Sequence, residues 1–293
     1  VAAGDGKILR QWNSIVRDSG SALTYDPNAV QDSGNTSLRD NNHQTSAALD
    51  AARSLVTLTD LNPAVRTLKG LYADMTALGV QGCDGLTHPP YTQPYTPGLA
   101  NEPSRVYSYA RNDMRFQEVV AYYAITATQR WIQSLGFANV NNRSIPVNVH
   151  CFADDNSNYT SVDGGLHFGD GGVPDAEDAD IVVHEYGHAI QDNQVPGWGP
   201  VKNTPQRAMG EGFGDFLAGM ASISKGNPGY QAGGKYCIGD WDATAYNPVG
   251  PNAGGGCLRW INGRNESTRR DVGEYAGRVA EEHDDGGFWA AAL

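Results

Sequence analysis

The stretch HEYGH, residues 184–188, constrains the chain more than any other feature, because it sets two of only seven histidines four residues apart with a glutamate between them. An α-helix turns about 100° per residue, so this spacing brings His184 and His188 to one face with Glu185 beside them. Two neutral imidazoles on one helical face form a zinc-binding pair, and the glutamate is placed to act as base toward a water that the metal acidifies. Zinc then needs a third protein ligand and one open position, which a second element must supply.

That second element reads directly from GEGFGDF, where Glu211 and Asp215 stand four apart and so on one helical face. Glu211 is the candidate third ligand, and Asp215 is the candidate acceptor for the outer nitrogen of a ligand histidine. Pro174 and the acids Asp175, Glu177 and Asp178 suit the first turn of a helix running from about 175 to 192. A Pro- and Gly-rich loop, VPGWGPVKNTPQ, follows, and helical periodicity resumes through Phe213, Phe216, Leu217 and Met220.

Before these motifs the pattern is different. SALTY, SLVTL and GLYADM alternate with Asp, Asn, Gly and Pro clusters, which predicts short strands and long loops. THPPYTQPYTPG, residues 87–98, is predicted to be an extended surface loop, since its prolines remove donors and fix φ. From about 112 to 135, Phe116, Val119, Val120, Tyr123, Ala127, Trp131 and Leu135 recur at helical spacings, with Asn112 or Asp113 as start cap and Gly136 as stop. Ile145, Val147, Val149 and Cys151 alternate with polar partners as a half-buried strand, and GGLHFGDGG reads as a second strand ending in a turn.

Net charge is −12 with only 21 Lys and Arg, so nothing suggests a surface built to neutralise phosphates or anionic lipid. The expected partners exclude nucleic acid and membrane. No apolar run reaches the roughly 18 residues that a bilayer span requires. Cys83, Cys151, Cys237 and Cys257 form no CxxC pair, which argues against a thiolate metal site. Two disulfides, such as 83–151 with 237–257, would suit an extracellular chain; four cysteines allow three pairings, and free buried thiols are the alternative. Sequons stand at Asn35, Asn142, Asn158 and Asn265.

With both motifs in view, HEYGH followed by MGEGFGDF resembles the zinc metallopeptidases of the thermolysin clan, and most closely their fungalysin-like branch. The resemblance implies that His184, His188 and Glu211 hold zinc, that Glu185 is the general base, and that Asp215 orients a ligand histidine. CLRW and HDDGGFWAAAL are similar to a later segment of the family, which implies that His283 stabilises the tetrahedral intermediate and that Arg259 binds the substrate carbonyl. DNSNY followed by FGDGG resembles the family's edge strand, with Asn156, Ser157 and Asn158 as substrate contacts. Asp180 matches a position that is a Ca2+ ligand in some relatives. The oxyanion tyrosine of thermolysin has no counterpart in residues 189–210, which contain no Tyr.

The expectation is therefore an α+β, zincin-like chain: a β-rich N-terminal lobe (1–174) with one long helix, a central zinc-binding helix, and a helical C-terminal lobe (175–293) that is cut short. It would be a secreted zinc endopeptidase acting on protein or peptide as a monomer, with the first forty residues either mature protein or the remnant of a zymogen's pro-segment. A zinc hydrolase of a non-protein amide, and an inactive zinc-containing binding module, are the alternatives; the intact Glu185 argues against the second.

Overall fold

The computed structural model describes residues 17–77, 83–84, 86, 88, 90–92, 95–199, 201–225, 236–246, 256–262 and 279–293. In chain order these form β1 (Asp18–Thr24), α1 (Ala29–Ser33), α2 (Ala47–Ala51), β2 (Ser54–Leu61), β3 (Ala73–Asp74), β4 (Val106–Ser108) and α3 (Arg115–Ser134). There follow β5 (Ile145–Phe152), β6 (Ser157–Thr160), β7 (Gly165–Gly169), α4 (Ala179–Gln194), α5 (Pro205–Lys225), β8 (Cys237–Ile238), α6 (Ala243–Tyr246), β9 (Arg259–Trp260) and α7 (Glu282–Ala292). The chain is thus mixed α+β. The strands make a three-stranded sheet ordered β2-β1-β4, a four-stranded sheet ordered β3-β5-β7-β6, and the pair β8-β9. The sequon at Asn265 and parts of the 87–98 loop lie outside the described residues.

Helix α3 begins and ends as its sequence dictates. The Asp113 carboxylate accepts from Arg115 N at 3.0 Å, and Gly136 takes a φ of 101° just past the last turn. Its burial differs from expectation. Phe116, Val119 and Val120 are buried as predicted, but so are Tyr122, Ala124, Ile125, Thr128 and Gln129, whereas Leu135 is 56% exposed. The helix packs against α4 and against strands of both larger sheets, so nearly every face meets protein and a single apolar stripe cannot describe it.

Strand β5 shows the same departure. Its apolar side is buried, and so is its polar side, because Cys83, Tyr91 and Tyr95 of the preceding segment lie against Asn148 and His150. Disulfide Cys83–Cys151 joins that segment to the strand, and Cys237–Cys257 closes the β8-β9 pair, with Cα separations of 4.4 and 5.4 Å. Asp170 bridges the two layers, accepting from His88 Nδ1 at 2.8 Å and His150 Nδ1 at 2.6 Å.

The entry to α4 is tighter than a simple helix start. Pro174 leads into a 3-10 turn, Asp175–Glu177, and it is Asp178 that caps α4, accepting from Asp180 N at 3.0 Å. Fully buried Glu177 pairs with Arg111 Nε at 2.5 Å and also accepts from Gln117 Nε2 and Trp241 Nε1. A lone buried carboxylate would be costly; this one is paired and fully bonded. The bonds tie the turn to α3 on one side and to the β8-α6 connection on the other. One hydrophobic cluster accordingly runs through residues on both sides of position 174.

Candidate metal centre

Helix α4 holds its histidines rigidly because almost all of it is interior: Val182, Tyr186 and Ala189 are wholly buried, and His184 is 3% exposed. Helix α5 crosses it at two glycines. A Cβ on Gly187 would stand 3.0 Å from Gly214 Cα, and one on Gly214 would stand 2.7 Å from His184 Nδ1. A third glycine, Gly212, allows α7 to approach from the far side, where a Cβ would meet Gly286 O at 2.4 Å. Glycine inside a helix costs about 1 kcal/mol relative to Ala, so three such residues need a packing reason, and here it is helix contact around the site.

The crossing brings the two motifs together. His184 Nε2, His188 Nε2 and Glu211 Oε2 form a triangle with sides of 3.2, 3.4 and 3.1 Å. Ligands about 2.0–2.2 Å from a tetrahedral zinc would stand roughly 3.3–3.6 Å apart, so the three atoms are within a few tenths of an ångström of that spacing. The donor set of two imidazoles and one carboxylate, open on the cavity side, fits zinc. Glu185 also joins His184 and His188 in a group whose ligand atoms all lie within 4.8 Å of one another. Its Oε1 accepts from Ser157 Oγ at 3.0 Å, while its buried Oε2 has no hydrogen-bond partner.

This arrangement decides the comparison. Residues 173–293 match the fungalysin metallopeptidases (M36). No curated protein matches the chain. The matched segment contains both motifs, and the match supports a metallopeptidase and implies zinc.

Around the triangle, the matched segment supplies a second layer of charge. Asp215 Oδ1 accepts from His184 Nδ1 at 2.7 Å, and Arg259 forks onto both Asp215 oxygens at 2.7 and 2.8 Å. Burial opposes ionisation of Asp215, but Arg259 and His184 outweigh it and hold the carboxyl well below the usual range. Without metal, burial disfavours a charged His184, yet Asp215 and Glu211 overcome this and raise its pKa to about 10. Burial likewise opposes a charged Glu211, and His188 and His184 pull it far below its ordinary value. Arg207 Nε lies 3.2 Å from Glu211 Oε1, an ion-pair contact without hydrogen-bond geometry.

Most of the other sequence candidates converge on one cavity of about 210 Å3, lined by Asn156, Ser157, His184, Glu185, Arg259 and His283 among others. His283 is half-exposed, with Nε2 3.6 Å from Glu211 Oε2 and Nδ1 2.8 Å from Glu281 Oε1. Two candidates lie elsewhere. Asn158 follows Ser157 on a strand, so its side chain turns to the opposite face, where Oδ1 meets His167 Nδ1 at 3.1 Å. Asp180 is interior and does not line the cavity; its oxygens accept from Ser222 Oγ at 2.7 Å, Gly239 N at 3.3 Å and Gln31 Nε2 at 3.3 Å, so protein donors stand where a Ca2+ was expected. Arg259 lines the cavity, with Nε and Nη2 of its guanidinium bonded to Asp215. Sequence reasoning did not assign Asp175 and Asp242 to the site, and both line the cavity.

Proposed function

We propose that the chain is a secreted zinc endopeptidase in which His184, His188 and Glu211 hold the metal and Glu185 is the general base. The observation that carries this reading is the N–N–O triangle with an unpartnered Glu185 oxygen beside it. Bound there, zinc would supply Lewis acidity toward the scissile carbonyl and lower the pKa of water. Glu185 accepts the water's proton at Oε2 and returns it to the departing amine, while Ser157 fixes Oε1. Asp215 takes the proton-bearing Nδ1 of His184 and so directs the Nε2 lone pair toward the metal. His283 contacts Glu281 Oε1 through Nδ1 and lines the same cavity, placed to stabilise the carbonyl oxygen as charge develops on it.

Strand β6 has a neighbour on one side only, so its free backbone edge can pair with an extended peptide, which favours protein or peptide as substrate. Two disulfides fit an oxidising, extracellular setting, and no helix among the described residues is long and apolar enough to cross a membrane. The test is hydrolysis of an unfolded protein by wild type, by Glu185→Gln and by chelator-treated enzyme, with zinc content measured in each. Glu185→Gln is expected to bind zinc stoichiometrically without turnover. Turnover by that variant would remove Glu185 as base.

A further inference from the structure

The cavity beside Glu185 has an acidic floor that the mechanism above leaves unused. Asp175 and Asp242 both line it and are 3% and 2% exposed. With Asp155 they place three carboxylate oxygens within 4.8 Å of one another. Asp175 Oδ2 and Asp242 Oδ1 are buried without a hydrogen-bond partner, and among the described residues no ion pair reaches either side chain. Arg259 lines the same cavity, with Nε and Nη2 bonded to Asp215 and its charge acting on Asp242. Burial first, and the neighbouring carboxylates after it, push both carboxyls well above their usual range. Ile181 and Leu258 provide aliphatic walls above this floor.

Buried carboxyls with an unpartnered oxygen, in a cavity that also carries aliphatic side chains, are costly until something positive enters. A long cationic side chain satisfies both parts: its methylenes lie along Ile181 and Leu258 while its head reaches the acids. A bare divalent ion would use the floor alone and leave the walled volume of about 210 Å3 unfilled. Resting on the peptidase reading, we propose that this pocket takes the lysine or arginine side chain of a substrate residue adjacent to the cleaved bond. Asp175 and Asp242 are then the specificity-determining residues.

The experiment maps cleavage sites in an unfolded protein by mass spectrometry and measures kcat/KM on a peptide pair that differs only in Arg or Leu at the position so identified. Wild type is expected to show basic residues enriched at one position flanking the cut. In Asp175→Asn/Asp242→Asn the Arg-to-Leu ratio should fall about tenfold to a hundredfold. Because the ratio is read within each protein, partial loss of folded enzyme cancels. Binding of the same peptides to zinc-loaded Glu185→Gln gives a second readout that needs no turnover. Preferential binding of the Arg peptide, abolished by the Asn pair, supports the pocket even if nothing is hydrolysed, in which case the catalytic reading alone falls. The inference is overturned if neither flanking position favours basic residues and the two peptides bind equally. It is also overturned if one equivalent of Ca2+ binds, is lost in Asp175→Asn, and blocks the Arg peptide.

Discussion

Gly214→Ala separates the stability of this fold from the geometry of its metal site. The added Cβ would lie 2.7 Å from His184 Nδ1, 2.9 Å from Cε1 and 3.0 Å from Cγ, about 0.7 Å short of the 3.4 Å at which ordinary contact begins. The helices cannot easily part, because α5 is held from behind by α7 at Gly212 and Gly286. The imidazole must therefore shift, which stretches its 2.7 Å bond to Asp215 and carries Nε2 out of the triangle. Overpacking costs about 1–3 kcal/mol, and Ala in place of a helical Gly returns about 1 kcal/mol, so the net loss of stability is about 0–2 kcal/mol. Function should suffer far more, since misplacing a reacting group by about 1 Å costs on the order of a hundredfold in rate. Urea unfolding of metal-free protein, zinc competition against a chromophoric chelator, and peptide turnover can be read on one preparation. The expected pattern is near-native stability with weakened zinc binding and turnover down by about two orders of magnitude. Wild-type zinc affinity and turnover in this variant would refute the claim that the glycine crossing sets the position of His184.

Two further perturbations test the buried charges. Arg111→Met strands Glu177 and should cost about 3–5 kcal/mol in denaturant unfolding, with much of this recovered in Arg111→Met/Glu177→Gln; no recovery would mean that Arg111 acts through packing alone. Burial and Asp178 push Asp240 up to about 8, above its unfolded value, so its contribution to stability is complete below about pH 4 and is lost as pH rises through 8. Asp240→Asn keeps the oxygen that accepts from Asn28 and Gln31 and should flatten the fall in Tm between pH 5 and pH 8; parallel curves for the two proteins would contradict this assignment.

Local patterns in the sequence were enough to locate the elements and the motif residues, because helical spacing by itself brings His184 to His188 and Glu211 to Asp215. What lay out of reach depends on contacts between distant segments. The polar face of β5 reads as solvent-facing until Cys83, Tyr91 and Tyr95 are known to lie against it. Pro174 and its acids read as the first turn of α4, yet the buried Arg111–Glu177 pair holds a separate 3-10 turn there and leaves Asp178 to cap the helix. Asn156, Ser157 and Asn158 formed one candidate group, and strand alternation divides it. Asp175 and Asp242 belong to different elements and share a cavity only once α4, α6 and β9 have packed.

The distribution of acids itself separates structure from function. Asp178, Asp180 and Asp240 form a buried knot, but each is met by fixed donors: Asn28 Nδ2 bonds Asp178 at 3.1 Å and Asp240 at 2.5 Å, Trp241 N and Asp242 N bond Asp178 at 3.2 Å, and Ser222 bonds Asp180 at 2.7 Å. Such a knot joins α1, α4, α5 and the β8-α6 turn, and satisfied polar networks of this kind specify a fold. Asp175 and Asp242 present unpartnered oxygens instead, and they present them to a cavity shared with Glu185 and His283. Asp240 Oδ2 in the knot is also without a hydrogen-bond partner, so what sets Asp175 and Asp242 apart is that they line the cavity. Only the second arrangement opens on a cavity, where an entering cation would favour the ionised form of both carboxyls, and the cleavage preference for basic residues follows from that difference.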